Sequence, residues 1–485
     1  MKADRMTVVL LLLLGLNLVR GMIYSAVIPP WQAPDEFRHF EYIKLLSQKR
    51  RLLTAQDSSL TLQREIIASM IKHNYWRFGY ARFPFAPRNP PRSFREIIWP
   101  ADPYWLFHPP LYYLLGAFSL ALAGSGDVDV QLYAVRLMSV VLGTLVVLVA
   151  FLTAKQLFPG DYFLIIGVPA FIVFLPMHTF ITSVVNNDNL AELSVSLFIM
   201  ILVKVLKDGL SPLRIALIAL LAVLGLLAKR TAILTIPLLV VAVPIYFWRG
   251  GLRFSFDHLG RKAVGLIAGT FIAGAIAGVL FRGTWQRLWN HFFPMLRPYL
   301  ILIPGADFSA LFTSKGVDLF IIYVQTLFES FWARFGWMNV RLDPVWYQAI
   351  ALISIAAMSG IGMFIVRKSA ALAFWQRKCL LLFLLCVVFA TAIAMFYGVR
   401  VWAHFQSFQP TERPKPQGRY LFPVIIPIAT LFTLGLRELA PIRYHKLWLL
   451  ACVGGFIIFD SISLIGYIIP FFYGWAWTAK SSIPW

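Results

Sequence analysis

Apolar residues in this chain fall in long unbroken blocks, without the strict alternation of a half-buried strand. A helix rises 1.5 Å per residue, so crossing a hydrocarbon core of about 30 Å takes roughly 20 apolar residues. Blocks at residues 6–28, 132–154, 163–181, 190–205, 213–227, 232–248, 263–280, 345–366, 379–397, 421–436 and 447–469 meet or approach that length. They predict an all-α polytopic membrane protein with about 11 transmembrane helices. The first block follows a short basic start (Lys2, Arg5), lacks a small-residue cleavage site and runs into Pro29-Pro30. It reads as a retained anchor and not a cleaved signal peptide.

A further apolar run, residues 109–124, is short for a crossing, opens with two prolines and ends near Asp127 and Asp129. It is expected to lie at the interface or to re-enter without crossing. With the N-terminus cytoplasmic, that choice places Arg249, Arg253, Arg261 and Lys262, then Arg367, Lys368, Arg377 and Lys378, then Arg437, Arg443 and Lys446 in inside loops. Cytoplasmic loops carry such an excess of Lys and Arg. Were the run to cross, all these loops would flip outside. Three segments are then extracytoplasmic: 29–131, 282–344 and 398–420. Stretches such as Tyr75-Trp76-Arg77-Phe78 and Phe331-Trp332-Ala333-Arg334-Phe335 suit interfacial helices in them. No Gly/Ser linker divides the chain, so residues 1–485 are expected to form one domain, and no internal repeat suggests a duplicated transporter.

Composition agrees. The chain is 59% hydrophobic and 14% charged, against about 45–50% and about 25% for a soluble domain. The net charge of +22 does not indicate nucleic acid as a partner, because it is spread along the chain with no basic helix or RNA-binding aromatic motif. Basic residues serve inner loops and places where anionic lipid or phosphate is held. Cys379, Cys386 and Cys452 sit inside apolar blocks, which argues against a disulfide framework or zinc cluster. The absence of any Asn-x-Ser/Thr sequon favours a prokaryotic cell (inner) membrane.

Candidate chemistry clusters at the expected outer ends of helices. Pro34-Asp35-Glu36 reads as a helix start, and His39 follows on the same face. A carboxylate steadied at the membrane surface suits a general base, while the plainer reading is a solvated acid pair in a first turn. His108 stands before the double proline of the non-crossing run. Arg136 lies near the outer end of the second span, Asn186-Asn187-Asp188-Asn189 forms a short outer loop, and Lys229-Arg230 occupies a tight outer turn. Arg419 sits at an outer boundary, and Arg20, within the first helix, must find water, a partner or a phosphate. Singly each cation is more often a headgroup anchor; gathered beside acids they suit a lipid-phosphate ligand.

These residues, in this order, resemble the GT-C superfamily of membrane glycosyltransferases. The likeness is greatest to the branch holding the protein O-mannosyltransferases and bacterial aminoarabinose transferases, and to related uncharacterised bacterial membrane proteins. It is carried by Pro34-Asp35-Glu36 with His39, His108-Pro109-Pro110-Leu111-Tyr112-Tyr113, Arg136-Leu137, Asn187-Asp188 and Lys229, then by Ser330-Phe331-Trp332 with Phe335-Gly336-Trp337, and Gly418-Arg419-Tyr420 with Pro423. The resemblance implies a GT-C-like fold, a polyprenyl-phosphate-linked sugar donor, inversion at the anomeric carbon and an extracytoplasmic site. It makes Asp35 the base, with Glu36 as the alternative, and Asp188 a second acid. Lys229, Arg136 and Arg419, with His108, become donor-phosphate contacts, and His39 and Arg20 supporting groups. No cofactor is required by the pattern, although Asp35, Glu36, His39, His108 and Asp188 could hold a divalent metal. The acceptor, whether lipid, glycan or protein, is not implied. Surrounding membrane lipids are further partners.

The same ligand chemistry would serve a transporter or flippase of a lipid-linked saccharide. That reading requires ionisable groups near the bilayer midplane, where Asp460 is the main one. A metal-dependent hydrolase lacks its His-Glu-x-x-His signature. A structural subunit with an incidental acid pair would look the same from sequence.

Overall fold

The computed structural model describes residues 3–78, 91–97, 103, 105, 108–124, 126–248, 314–367, 372–404 and 416–474. Helices dominate because the apolar blocks have no backbone partner other than themselves in a lipid layer. Eight helices among the described residues are long and apolar enough to cross a bilayer, or nine when Tyr162–Val173 and Pro176–Thr182, bent by 60° between them, count as one broken span. The expected span at 263–280 and most of the outer segment 282–344 lie outside the described residues, as do the basic residues 249, 253, 261 and 262.

The long helices are α1 (Ala3–Val27), α6 (Val128–Leu157), the α7/α8 pair (Tyr162–Val173, Pro176–Thr182), α9 (Asp188–Asp208), α10 (Pro212–Ala228) and α11 (Thr235–Phe247). After them come α12 (Ser314–Trp332), α13 (Pro344–Arg367), α14 (Phe374–His404), α15 (Ile425–Glu438) and α16 (His445–Ser461), which runs through a π-helical turn into α17 (Ile469–Tyr473). Between α1 and α6 lie α2 (Glu36–Lys49), α3 (Leu60–Lys72), α4 (Tyr75–Phe78) and α5 (Leu111–Ala123).

The α1–α6 pairing decides how residues 28–127 are threaded. Asn17 donates to Thr144 at 3.0 Å, Gly21 lies against Val140, and Arg136 donates to the carbonyl of Ser25 at 2.8 Å. Each step of four residues up α1 is a step of four down α6, so the two helices are antiparallel neighbours. The segment joining them therefore leaves and returns on one side. Helix α5 makes no net crossing, in line with its 13 residues, about 20 Å of helix. It runs parallel to α2, with His39 bonded to Tyr113 and Gly116 against Ile43.

The remaining contacts sort the helix ends into two sets. Gln376 donates to the carbonyl of Leu157, Lys378 to that of Tyr246, and Lys207 stacks on Trp375. These mark one end. The turns at residues 183–187, 229 and 416–419, with the ends of α1 and α16/α17 (Tyr473 donates to the carbonyl of Val27), mark the opposite one. The first end carries Lys155, Lys204, Lys207, Arg214, Arg377, Lys378, Arg437, Arg443 and Lys446 against Asp161, Asp208 and Glu438. Helices α13 and α15 cross with almost no clearance: a Cβ on Gly360 or Gly435 would strike the other helix's backbone. This is the small-residue packing that draws helices together in lipid, where no hydrophobic force acts between them.

Candidate functional site

The site lies at the end opposite the basic loops, where α1 ends, α2 begins and two turns between spans converge. The chain leaves α1 through Pro29-Pro30 and turns sharply: Trp31 and Asp35 both have positive φ, 71° and 61°. A left-handed residue other than glycine is uncommon and costs of order 1 kcal/mol, more so at a bulky tryptophan. The turn is pinned from all sides. Trp31 donates its backbone N–H to Glu36 (3.0 Å) and its indole N–H to Ser69 (2.9 Å), while Gln32 donates to the carbonyl of Tyr75 (3.2 Å). A short hairpin, Arg334–Phe335 paired with Val340–Arg341, brings Trp337 onto it, and that indole donates to the carbonyl of Trp31 at 3.3 Å.

Beneath the turn is a fully buried ion pair. Glu36 takes Arg136 through both oxygens, at 2.8 and 2.6 Å, and also accepts the backbone N–H of Val185 at 3.0 Å. Arg136 spends its other donors on the carbonyls of Ser25, Ile28 and Pro29, at 2.8, 2.7 and 3.2 Å. Both side chains are 0% exposed. Neither has capacity left for a ligand, which removes Glu36 from the expected bases and Arg136 from the expected phosphate contacts. Arg20 is likewise engaged: it pairs with Asp460 of α16, which also accepts from Tyr24 at 2.7 Å. Arg20 thus braces α1 against α16, and Asp460 is paired within the bundle.

Asp35 differs from its neighbour. It stands at the N-cap of α2 without making a capping hydrogen bond, is partly exposed, and no described residue bonds its carboxylate. Buried Asp188 opens α9 with Lys229 Nζ at 2.6 Å and Arg419 Nε at 3.9 Å. Arg419 is held there because Gly418 lies flush on α12, its N–H donated to Ser330 Oγ at 2.8 Å, where any Cβ would overlap the Ser330–Phe331 backbone. Burial holds the Lys229 ammonium below its usual range, offset by Asp188 and, more weakly, by Asp35.

His39 and His108 face each other edge to face at 5.9 Å. His39 Nδ1 meets the Tyr113 hydroxyl at 2.9 Å, and His108 Nδ1 the Asn187 amide at 3.2 Å. Burial first, then each other's neighbouring cations, holds both imidazoles well below their usual range. The charges bearing on them include Lys229, Arg419, Arg230 and Arg38. Arg38, Tyr113 and Asn187 lie within motifs already singled out, but spacing alone gave no reason to prefer them. Lys229, Arg230, Arg38 and Arg419 thus gather about the two imidazoles, with Asp188 paired to Lys229 and Asp35 acting on it.

The donor set does not fit a divalent metal. Asp188 is bound to an ammonium, Glu36 to a guanidinium and His39 to a phenol, and among the described residues no three His, Cys, Asp or Glu side chains converge as ligands. A second buried pair, His178 to Glu192 at 2.8 Å, lies one helical turn along α9 from Asp188 and was not anticipated.

A family model described as "Predicted membrane protein (DUF2142)" matches residues 18–428. No curated protein matches the chain. Among solved structures it is similar to the Archaeoglobus fulgidus oligosaccharyltransferase in the apo form, with a TM-score of 0.47 and 12% identity over 97% of this chain. It is also similar to the oligosaccharyltransferase AglB of the same organism in complex with an inhibitory peptide and a dolichol-phosphate, with a TM-score of 0.44 and 14% identity over 93% of this chain. The chain spans 56% of the length of each.

Proposed function

The chain belongs to the DUF2142 family of predicted membrane proteins, and we propose that it is an inverting glycosyltransferase that moves a sugar from a polyprenyl-phosphate-linked donor to an acceptor on the extracytoplasmic side. The observation that carries this reading is the partly exposed carboxylate of Asp35, bonded by no described residue, acting by its charge on Lys229 of the Asp188–Lys229–Arg419 cluster. The acceptor hydroxyl attacks the anomeric carbon and gives its proton to Asp35, while the bond from that carbon to the phosphate oxygen breaks. The leaving phosphate goes from one negative charge to two, and preorganised cations act most on charge that develops in the transition state. Lys229 and Arg419 supply that field, and Asp188 fixes where they stand. The neutral histidines give hydrogen bonds without adding charge. The basic loops at the far end support a cytoplasmic placement for it, and so an extracytoplasmic site.

A carrier of lipid-linked saccharides would bind the same ligand. It would draw on unpaired ionisable groups in the apolar layer, and Asp460, its main candidate, is paired.

The test compares wild type with Asp35→Asn in detergent, offered a panel of polyprenyl-phosphate sugars and a membrane lipid extract, following polyprenyl phosphate release and donor binding. Release by the wild type, lost in a variant that still binds donor, is the expected result. Undiminished release by Asp35→Asn overturns the assignment of the base; donor binding without release by either protein favours the carrier.

A further inference from the structure

At the far end of α2 from the candidate site, a groove of about 700 Å³ opens between α2 and α5, lined by Leu46, Leu114, Ala117 and Ala121 and rimmed by Arg50 and Arg51. Arg50 lies 12 residues beyond Arg38, about 18 Å along the helix, so it takes no part in the Asp188–Lys229–Arg419 cluster. Three observations bear on the groove. Arg50 caps α2 in the left-handed conformation, φ 50° and ψ 31°, at a position that glycine occupies without strain. A strained residue kept where a permissive one would serve points to a use for its side chain. Arg50 is exposed and has no partner among the described residues, whereas Arg51 is aimed by a bidentate pair with Asp57 at 2.8 and 2.7 Å.

The floor is apolar and continues onto the outer face of α5, where Leu114, Phe118 and Leu122 are exposed. Its level in the bilayer can be read from α6. The exposed face of α6 is apolar up to Tyr133 and Val130, then turns acidic at Asp129 and Asp127. Lys44 of α2 bonds Gln131 at that border. Arg50, six residues further along α2, stands at headgroup height while the floor below it remains in apolar surroundings.

The geometry points to a binding groove for an anionic glycerophospholipid of the surrounding bilayer, its phosphate on Arg50 at the rim and an acyl chain along Leu46, Leu114, Ala117 and Ala121. A cation at the polar border above an apolar floor is complementary to that amphiphile, and less so to a zwitterionic lipid or a free anion. The inference is independent of the transfer reaction.

The test uses the full chain purified in detergent, with dioctanoyl phosphatidylglycerol as probe and retention counted by native mass spectrometry. Wild type should retain phosphatidylglycerol at least ten-fold better than dioctanoyl phosphatidylcholine. Arg50→Gly, which relieves the backbone, should lose that preference while its Tm stays equal or rises. Ala121→Trp, at an exposed position, should block retention by filling the groove. Retention unchanged in Arg50→Gly, equal retention of phosphatidylcholine, or equal competition by inorganic phosphate would each overturn the proposal. So would preferential displacement by a polyprenyl phosphate, which would make the groove the donor's.

Discussion

The Glu36–Arg136 pair offers the sharpest test of how this site is built. Replacing Arg136 by Leu leaves a buried carboxylate with only the N–H groups of Trp31 and Val185, strips that partner from the carbonyls of Ser25 and Ile28, and leaves the carbonyl of Pro29 with the N–H of Gln32. Breaking a buried pair by removing one partner costs about 3–5 kcal/mol, and each orphaned buried acceptor about 1–3 kcal/mol. A loss of at least about 4 kcal/mol is expected for Arg136→Leu. Glu36→Gln, which keeps the shape but sets an amide N–H₂ against surrounding donors, should cost about 3 kcal/mol or more. Glu36→Leu combined with Arg136→Leu removes both charges and should cost less than its two single changes added, with a coupling of about 2 kcal/mol or more. SDS titration followed by tryptophan fluorescence measures each. A Glu36→Gln protein within about 0.5 kcal/mol of wild type, or strictly additive singles, would refute the claim that this pair holds the turn carrying Asp35.

Three more predictions concern the site's charges. Lys229→Met should weaken polyprenyl-phosphate binding at least ten-fold, and Asp188→Asn should weaken it too, by releasing Lys229 and Arg419; equilibrium binding with a fluorescent donor reads both. Glu41 is buried and its carboxyl is pushed up to about 7, so the folded state holds its proton over a range where the unfolded chain has lost it. Its stabilising contribution is complete below about pH 4.5 and disappears as pH rises through 7, a change on the order of 3 kcal/mol. Glu41→Gln should therefore raise stability at pH 8 and leave it unchanged at pH 4, measured by the same titration. His39 and His108 have the opposite sign: their lowered folded values mean that the unfolded chain binds more protons, so stability is full above about pH 6.5 and falls with pH below it. In the Glu41→Gln background that decline should be visible between pH 7 and 5 and shallower in His108→Asn.

Helices were legible because an apolar block of bilayer length has few alternatives, and the non-crossing of residues 109–124 followed from its brevity and paired prolines. The residues around Asp35, Asp188, Lys229 and Arg419 were legible as charges stranded at helix ends. Their pairings were not. Arg20 and Asp460 are 440 residues apart and Glu36 and Arg136 are 100 apart, and nothing local distinguishes an arginine awaiting a phosphate from one already clasped by a carboxylate. Asp35 and Glu36 illustrate the limit: adjacent, chemically alike, and separated in surroundings by one peptide unit that turns one side chain into the core and leaves the other partly exposed. The Arg50 rim was equally hidden, since a positive φ at an arginine has no sequence signature.

The reach of Glu36 also constrains how the chain can be made. Its acid is synthesised 100 residues before Arg136 and 149 before Val185. At about 5–20 residues per second a ribosome needs roughly 5–20 s to deliver the arginine. For that interval the first helix is followed by a carboxylate whose arginine partner has not yet been made, so the Trp31–Asp35 turn cannot yet hold its shape. The two acids of the site thus come into register late, when the loop between the third and fourth crossings emerges, and a chain stalled before that point would be anchored in the bilayer yet lack a site.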